Sequence, residues 1–571
     1  MSRKVKIGLG IGVVVVLIIV GLLNSNVLVL RKVDNLLKSQ VLNALGEGWT
    51  FDYGKSKLKL SAGVLVIDDL YLSRGDEPET YWELNVKKIQ MHGFQVAEYL
   101  ATGRLSIDSL TVDDPYFEGF QVAPKDTTKK KAKPKEDSME LLFLKVEKIR
   151  TSGGNITIDP EGPMVLNAGL EILLTNVLVD GSNEDLVQME EGKVLIPDIY
   201  FQFPDSIYAV KIDSVEVLYG DTIFAGFGMH LESNLDKIAY GHHFGWKKAR
   251  WTIEVPTWYM EAPRDLDTHR IHLSRLWLND LDASIFKDGR LPFPDMVKKY
   301  PQEMLEALNL NLRLDEVIVR DAQLIVEELH GERVQPARIE LLDLDARLLG
   351  LQNENRNAPA LVMAGSTKLQ GEALVTVNAE YLYGDNNAYT LKGTMDPADL
   401  QIIRRFMEHS GNISIKSGNL NSLAFDLSGD KDTTYGFVDF HYSNLEVELI
   451  KKETGDDMGG LVNFFTTALG GMFYHKDNPS GKYGYHRGIV GVQNKPYKAF
   501  VGHWIEGLLD GLLHSVLRSK TKKEDKAYRT EMKEAEKERK KAEAEDAGKD
   551  QDSEKKGLHL FKKNKELGHV E

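Results

Sequence analysis

The sequence predicts a mainly β protein: an N-terminal transmembrane helix followed by an elongated, groove-like, repetitive antiparallel β-sheet array with a few short capping helices. Three observations lead to this prediction. An eight-residue pattern of apolar positions recurs along the chain, one long uncharged segment stands at the N-terminus, and only short stretches have the apolar spacing of helices.

The recurring pattern is clearest at residues 105–112, which read LSIDSLTV. Leu105, Ile107, Leu110 and Val112 are the apolar positions, and a polar pair separates the two halves. Each half alternates with period two, as a half-buried strand does, but the halves are out of phase by one residue. A β-bulge, in which one extra residue bends the strand, would restore a single apolar face.

The same pattern occurs at eight further places: residues 65–72, 144–151, 172–179, 210–217, 271–278, 312–319, 339–346 and 440–447. At 42% hydrophobic content, chance alone produces several such matches, so an ordinary β protein is one interpretation. The polar central pair favours the other interpretation, a repetitive array with one continuous apolar face.

The first 30 residues predict a membrane anchor. A basic stretch, residues 1–6, precedes an uncharged run over residues 7–30, long enough for a helix to cross a hydrocarbon core of about 30 Å. The basic flank predicts a cytoplasmic N-terminus and an extracytoplasmic remainder. Because no clear cleavage site follows, an uncleaved single-pass anchor over residues 7–28 is favoured over a signal peptide. Its apolar positions include Ile7, Val13, Val16, Ile19 and Leu23.

Composition excludes several classes of function. The net charge of −15 argues against a nucleic-acid binder. The absence of cysteine excludes disulfides, thiolate catalysis and cysteine-bound zinc. A chain of 571 residues is too long for one compact core, so two or more units or an extended array are expected.

The predicted organisation has five parts. Residues 1–6 are cytoplasmic, 7–28 form the anchor, 29–300 an N-terminal β-groove region, 301–518 a C-terminal β region and 519–571 a charged, mostly disordered tail. A Pro-rich helical link at residues 291–308 marks the boundary between the β regions, and a basic, disordered loop is expected at residues 124–137. Short helices are predicted at residues 33–45, 93–103, 396–409, 461–469 and 504–517.

No catalytic constellation is recognisable, and the chain is predicted to be non-enzymatic, without cofactor or metal. The close histidine pairs, His242–His243 and His269/His272, lack the spacing of a zinc-binding helix. Nucleophile elbows, phosphate loops and dinucleotide fingerprints are absent from the sequence. What remains is a long apolar face behind a membrane anchor, which helices or a bound acyl chain would have to cover.

The whole chain resembles the AsmA-like family of bacterial envelope proteins. The resemblance begins at the anchor and continues through residues 63–70 (GVLVIDDL) and 103–115 (GRLSIDSLTVDDP). It is most specific near the end, at residues 417–429, 442–447, 475–479 (HKDNP) and 494–498, and at Trp504 leading into Gly507. The order of these motifs, which include Asn478 and Pro479, carries the resemblance.

Members of this family, like TamB, are similar to the bridge-like lipid-transfer proteins. The resemblance implies an inner-membrane anchor, a periplasmic groove lined with apolar side chains, and a role in moving phospholipid toward the outer membrane or in outer-membrane assembly. It also implies phospholipid and an outer-membrane or periplasmic protein as partners. The chain departs from the family in being short for a bridge and in carrying the basic loop and charged tail.

The first hypothesis is therefore a lipid conduit, with groove positions at Leu105, Ile107, Leu110, Val112, Val215, Val217, Leu314 and Val319. The alternative is a scaffolding factor that holds outer-membrane protein strands by β-strand addition. The last helix also leaves two interpretations open. A cap on the end of the array is favoured over a membrane-interface or docking helix. The stripe expected to pack or insert is Ile505, Leu508, Leu509, Leu512, Leu513, Val516 and Leu517.

Overall fold

A computed structural model describes residues 48–517, with gaps, and four isolated positions in the tail, residues 530, 533, 534 and 537. The gaps are residues 60–61, 78–79, 94, 96–97, 99–101, 103, 122–142, 159–164, 181–186, 204–206, 220–222, 262–264, 268–269, 301–302, 305–310, 332, 354–358, 384–386, 412, 451–473 and 482–483. The predicted anchor, the predicted helices at residues 33–45 and 461–469, the basic loop and nearly all of the charged tail lie outside the described residues. In the described part of the chain, no helix is long and apolar enough to span a membrane.

The described residues are mainly β, with mostly antiparallel pairing and three short α-helices, which confirms the coarse fold prediction. The strands are β1 (Trp49–Asp52), β2 (Lys55–Lys59), β3 (Val64–Glu77), β4 (Thr80–His92), β5 (Leu105–Gln121), β6 (Phe143–Ser152), β7 (Gly154–Ile158), β8 (Val165–Asp180), β9 (Val187–Gln188), β10 (Glu191–Gln202), β11 (Tyr208–Leu218), β12 (Ile223–Ser233), β13 (Arg250–Glu261), β14 (Asp265–Asp267), β15 (Arg270–Asn279), β16 (Asp282–Asp288), β17 (Asn311–Leu329), β18 (Ala337–Gln352), β19 (Leu361–Leu369), β20 (Ala373–Tyr381), β21 (Tyr389–Met395), β22 (Ala398–Asp399), β23 (Ile413–Gly429), β24 (Thr433–Leu449) and β25 (Gly488–Gln493). The helices are α1 (Lys237–Phe244), α2 (Arg404–Gly411) and α3 (Phe500–Val516).

The described residues fall into two compact units. Unit 1 takes those of Met1–Tyr240, Arg250–Ile285 and Asn309–Gln323, and unit 2 takes those of Gly241–Ala249, Phe286–Leu308 and Leu324–Glu571. The sequence places a single boundary at residues 291–308. The structure instead keeps the first half of β17 in unit 1, where it pairs in parallel with β15.

In unit 1, β3 pairs with β1 and β2 on one side and with β4 on the other, and β4 pairs with β5. Strand β5 runs parallel to β6 and β7, which both pair with β8. From β8 the order continues through β10, β11, β12, β13, β15 and β17. The predicted antiparallel array holds for most pairings, but those of β5 with β6 and β7 and that of β15 with β17 are parallel.

The strands of unit 1 keep a single apolar face across the polar pair of the repeated pattern. In β3, Ile67 and Leu70 are both 2% exposed although they are three residues apart. They face Ile89 and Val86 of β4, which are equally buried, and the register between the two strands is unbroken from Leu65 to Arg74. The predicted extra residue is therefore wrong here, because both strands bend together at the same row.

In three strands a residue with positive φ stands at the bend. Asp69 of β3 has φ 56°, and Asn176 of β8 and Asn444 of β24 have φ 48° and 56°. Each is the second residue of the polar pair in its pattern, and aspartate and asparagine accept the left-handed region better than other side chains with a Cβ atom. The predicted bulge is confirmed in β18, where the register shifts by one residue between Leu342 and Asp345.

Unit 2 contains an antiparallel order of β18, β19, β20, β21, β23, β24 and β25. Helix α3 packs on β23, β24 and β25 through small residues. A Cβ atom at Gly507 would lie 2.7 Å from Cγ2 of Thr434, and one at Gly511 would overlap Val438. The helix thus acts as a cap, while the predicted stripe is wrong at Ile505, which is 47% exposed.

Two other helices differ from the sequence prediction. Near residue 400 a 3-10 turn (Leu400–Ile403) leads into α2, so the helical segment begins later than the predicted residue 396. The side chain of Asp399 accepts a hydrogen bond from the N–H of Gln401. Helix α1 was not predicted. Its first N–H groups donate to the carboxylate of Asp236, as expected for an N-cap, and Gly245 follows it with φ 72°.

Candidate lipid-binding face

One continuous set of apolar side chains in unit 1 is covered only in part. It surrounds the buried residues Val215, Val255 and Trp258 and is called the apolar face. Its half-buried members come from strands β10, β11, β12, β13 and β15 and from the position just before β16. They are Ile196, Ile199, Ile212, Val217, Met229, Ile253, Met260, Leu276, Leu278 and Leu281.

Strand register explains why these residues share one side of the sheet. Directly paired residues of neighbouring strands point to the same face. One such row runs Ile196, Val215, Gly226, Trp258 and Leu278, from β10 to β15.

A second row lies three residues further along each strand. It runs Ile199, Ile212, Met229 and Val255, from β10 to β13. The spacing of three is possible because the strands bend between the two rows, where Asp198 of β10 has φ 54° and Gly228 of β12 has φ 60°. Gly228 is required there, because a Cβ atom would overlap the carboxylate of Asp213.

The opposite side of the same strands is mixed in chemistry and carries charged residues. Lys193 of β10 forms an ion pair of 2.9 Å with Glu216 of β11, and Lys211 and Glu254 are exposed. This side also carries apolar residues, among them Tyr259 and Trp277, which are paired, and the exposed Leu218 and Phe227. The two sides therefore differ in chemistry, and only one of them offers a continuous apolar surface.

Trp258 is the central side chain of the apolar face. Its indole ring lies against Gly226, where a Cβ atom would overlap the ring. The residue is 8% exposed, and its Nε1–H has no hydrogen-bond partner in the described part of the chain. An unpaired buried donor costs free energy, so a hydrogen-bond acceptor brought within reach of this N–H would be favourable.

The groove positions predicted from sequence fall into two groups. Val215 and Val217 belong to the apolar face, and Val319 of β17 is half-buried and pairs with Leu278 of that face. Leu314 is also half-buried and faces Leu273. All four are thus on or beside the half-covered surface.

The other four predicted groove positions lie in a closed core. Leu105, Ile107, Leu110 and Val112 are only 1–3% exposed. They pack with apolar residues of β1 to β8, including Leu72 and Leu144, which have no exposed surface. Their side chains are therefore in contact with protein atoms, not with an open surface.

Asn478 of the C-terminal motif connects β24 to the segment before β25. Its amide Nδ2 donates to the carbonyls of Phe440 (2.7 Å) and His486 (2.8 Å), and its Oδ1 accepts from the N–H of His486. Pro479 follows it through a cis peptide bond and is exposed. These contacts indicate that Asn478 has a structural role.

Trp504 and Gly507, the other motif residues, place α3 on the sheet of unit 2. The Trp504 ring stacks on Tyr381 with 5.8 Å between ring centres, and it also contacts Tyr389 and Phe500. Burial raises the pKa of the Tyr389 hydroxyl to about 12, and this hydroxyl lies 2.6 Å from the hydroxyl of Thr434. These aromatic contacts also serve packing.

In the described ranges, no three His, Cys, Asp or Glu side chains lie close enough together to hold a metal ion. His272 lies 2.9 Å from the carboxylate of Asp315, and His242 and His243 are exposed on α1. His269 lies outside the described residues.

Sequence reasoning missed Trp258 as the centre of the candidate site. A tryptophan in a strand is usually a packing residue, and the signal that distinguishes this one is the glycine facing it on the neighbouring strand. That pairing is visible only once the register is known. Comparisons with protein-family models and with curated proteins find no match to this chain.

Proposed function

We propose that this chain is a non-enzymatic, AsmA-like protein of the bacterial envelope that binds lipid acyl chains on its apolar face. In this proposal, residues 7–28 anchor it in the inner membrane with the N-terminus in the cytoplasm and the bulk of the chain in the periplasm. It supports phospholipid transport and outer-membrane homeostasis. The observation that carries the proposal is the continuous, half-covered apolar face around Trp258.

The chemistry of the face suits an acyl chain. An apolar surface that stays partly open to water gains about 0.8 kcal/mol for each CH₂ group that a ligand buries on it. The rows of Val, Ile, Leu and Met side chains offer such a surface over five strands. On the opposite side, charged residues such as Lys193 and Glu216 interrupt the apolar ones, which favours a ligand on the apolar face.

The unpaired indole N–H of Trp258 suits the ester end of a lipid. An ester carbonyl accepts one hydrogen bond, and the N–H supplies one donor within apolar surroundings. A net gain of about 0.5–1.5 kcal/mol is typical of such a bond. This interaction would orient the lipid along the face without a charged residue.

Photo-crosslinking in cells tests the proposal with adjacent positions of β11. Val217 belongs to the apolar face, whereas Glu216 next to it points to the polar side. A photoreactive residue at position 217 is expected to capture phospholipid several-fold more often than one at position 216. Equal capture at both positions would contradict binding on the apolar face.

Lipid mass spectrometry of the purified full chain provides the second measurement. The proposal expects co-purified phospholipid, and replacement of Met260 by a bulky charged residue, Met260→Glu, is expected to reduce it. A lipid-free preparation that binds an outer-membrane protein would instead support the scaffolding alternative. At β25 the N–H of Gly491 already donates to the carboxylate of Asp510 (3.0 Å), so this N–H is not open to an added strand.

A further inference from the structure

Unit 2 contains a cluster of lysine side chains that neither the fold nor the apolar face explains. Three segments bring them together, and two backbone hydrogen bonds of 2.7 Å hold the segments: from Lys247 to the carbonyl of Pro292, and from Lys298 to that of Pro496. The lysine cluster comprises Lys247, Lys248, Lys287, Lys298, Lys495 and Lys498. All six are half-buried, although lysine is normally among the most exposed residues.

Carboxylates compensate the positive charge only in part. Glu328 pairs with Lys247, and Glu506 pairs with Lys498 (2.5 Å) and Lys495 (3.3 Å). In the described part of the chain, Lys287 and Lys298 have no carboxylate within ion-pair distance. The cluster therefore keeps an excess of positive charge.

The ammonium groups are also electrostatically coupled to one another. Burial, with Lys247 and Lys498, lowers the pKa of Lys287, and Glu328 only partly offsets this effect. Burial, with Lys248 and Lys287, lowers the pKa of Lys298. This repulsion between ammonium groups is unfavourable and would be relieved by a bound anion.

Aromatic rings surround the same ammonium groups. The Nζ of Lys298 lies 4.3 Å from the centre of the Trp246 ring, and that of Lys247 lies 4.7 Å from the Phe293 ring. Phe293 is 39% exposed and packs against Tyr497. The lysine cluster thus has an apolar, partly open rim that could contact the organic part of a ligand.

We propose that the lysine cluster is a binding site for a phosphate ester. Several separate ammonium groups suit a compact anion with several oxygens, since lysine binds phosphate as a point charge. The exposed Phe293 ring suits the ester's organic part. Both a lipid headgroup and a soluble phosphate ester have this chemistry. The site lies in unit 2 and does not depend on acyl-chain binding by the apolar face of unit 1.

A melting experiment on the purified full chain tests the site with inorganic phosphate. Melting is followed in sodium phosphate and in sodium chloride at equal ionic strength. Phosphate is expected to raise the melting temperature of the wild type and of Lys299→Gln, an exposed control next to Lys298. The double variant Lys287→Gln, Lys298→Gln is expected to lose this shift.

The double variant carries a second readout that separates a ligand site from a structural role. Because it removes mutually repelling charges, its melting temperature in chloride is expected to equal or exceed that of the wild type. A lower melting temperature, or loss of cooperative melting, would overturn the proposal. So would equal shifts in phosphate and chloride, or an equal loss of the shift in Lys299→Gln.

Vesicle flotation identifies the source of the phosphate ester. The probes are vesicles of phosphatidylcholine with and without phosphatidylglycerol, and the proteins are the wild type and the double variant. Flotation with phosphatidylglycerol that needs Lys287 and Lys298 assigns the site to a lipid headgroup. Flotation that is unaffected by the double variant, together with a phosphate shift that needs both lysines, assigns it to a soluble ester. Crosslinking at Val217 is expected to be unchanged in the double variant, so failure here leaves the acyl-chain proposal separately testable.

Discussion

The indole ring of Trp258 in β13 occupies the space above Gly226 in β12, the residue with which it is paired. Neither residue can be changed without altering the position of the other. The pair lies in the middle of the apolar face. The shape of the candidate ligand site there therefore depends on the register between β12 and β13.

Gly226→Ala is expected to displace the Trp258 ring, because the added Cβ atom would overlap it. Overpacking of this kind typically costs about 1–3 kcal/mol in the free energy of unfolding. Lipid recovery by mass spectrometry is expected to fall together with the stability. Gly491→Ala in strand β25 is the matched control, since a Cβ atom there meets no atom within 4 Å. Unchanged stability of Gly226→Ala would show that the ring can move at no cost.

Trp258→Phe is expected to keep the fold and weaken lipid binding. Phenylalanine keeps an aromatic ring over Gly226 but removes the N–H, which has no partner in the described residues. The free protein loses an unsatisfied buried donor, whereas the complex loses a hydrogen bond of about 0.5–1.5 kcal/mol, or a factor of about 2–13 in affinity. Trp277→Phe, on the opposite side of the neighbouring strand, is the control. Equal lipid affinity of Trp258→Phe and the wild type would remove the N–H from the proposed site.

Leu513→Ala in α3 is expected to lower the free energy of unfolding by about 2–5 kcal/mol, because Leu513 is 3% exposed. Ile505→Ala, on the same helix but 47% exposed, is expected to change it by no more than about 0.5 kcal/mol. Chemical denaturation of both variants measures the difference. A small effect at both positions would favour the docking helix over the cap.

Acid is expected to destabilise unit 2 through His503. The imidazole is 1% exposed, lies 2.8 Å from the hydroxyl of Tyr300 and donates toward the carbonyl of Lys495. Burial, together with nearby Lys498, lowers its pKa, although the Lys495 carbonyl and Glu506 act in the other direction. The unfolded chain therefore binds this proton more readily than the folded chain.

The stabilising contribution is complete above the ordinary histidine pKa of about 6.5 and is lost as the pH falls below it. The loss is at most about 1.4 kcal/mol for each pH unit. In His503→Gln, unfolding measured between neutral pH and pH 5 is expected to depend less on pH than in the wild type. His243→Gln changes an exposed histidine and serves as the control. An identical pH dependence in His503→Gln and the wild type would contradict the assignment.

The bends of the strands were predictable from the change of phase in the repeated pattern, but a residue of the central pair has positive φ in only some strands. Asp69 and Asn176 stand in the polar pair of the repeated pattern, and both have positive φ. Whether a bend also contains the extra residue of a β-bulge could not be predicted from the sequence. Whether a bend needs a bulge depends on whether the partner strand bends at the same row, and this requires the register.

Which side of each strand is apolar was also predictable. Whether other parts of the protein bury that side was not. Val217 and Val112 both occupy the last position of the repeated pattern. Val217 is half-buried on the apolar face, and Val112 is 3% exposed in a closed core. Alternation fixes which way a side chain points, whereas burial depends on segments distant in the sequence. The lysine cluster was missed for the same reason, since its members come from three separated segments.

The bends have a consequence for how such a chain can change length. The strands that contain Ile67 and Ile196 each bend within their own sequence. Two paired strands need only place their bends at the same row of residues. If a whole hairpin is duplicated or deleted, the bends of the remaining strands still align with one another. Insertion of a single residue within a strand, in contrast, reverses every side chain between it and the next bend. The architecture therefore tolerates growth by whole hairpins and resists change by single residues.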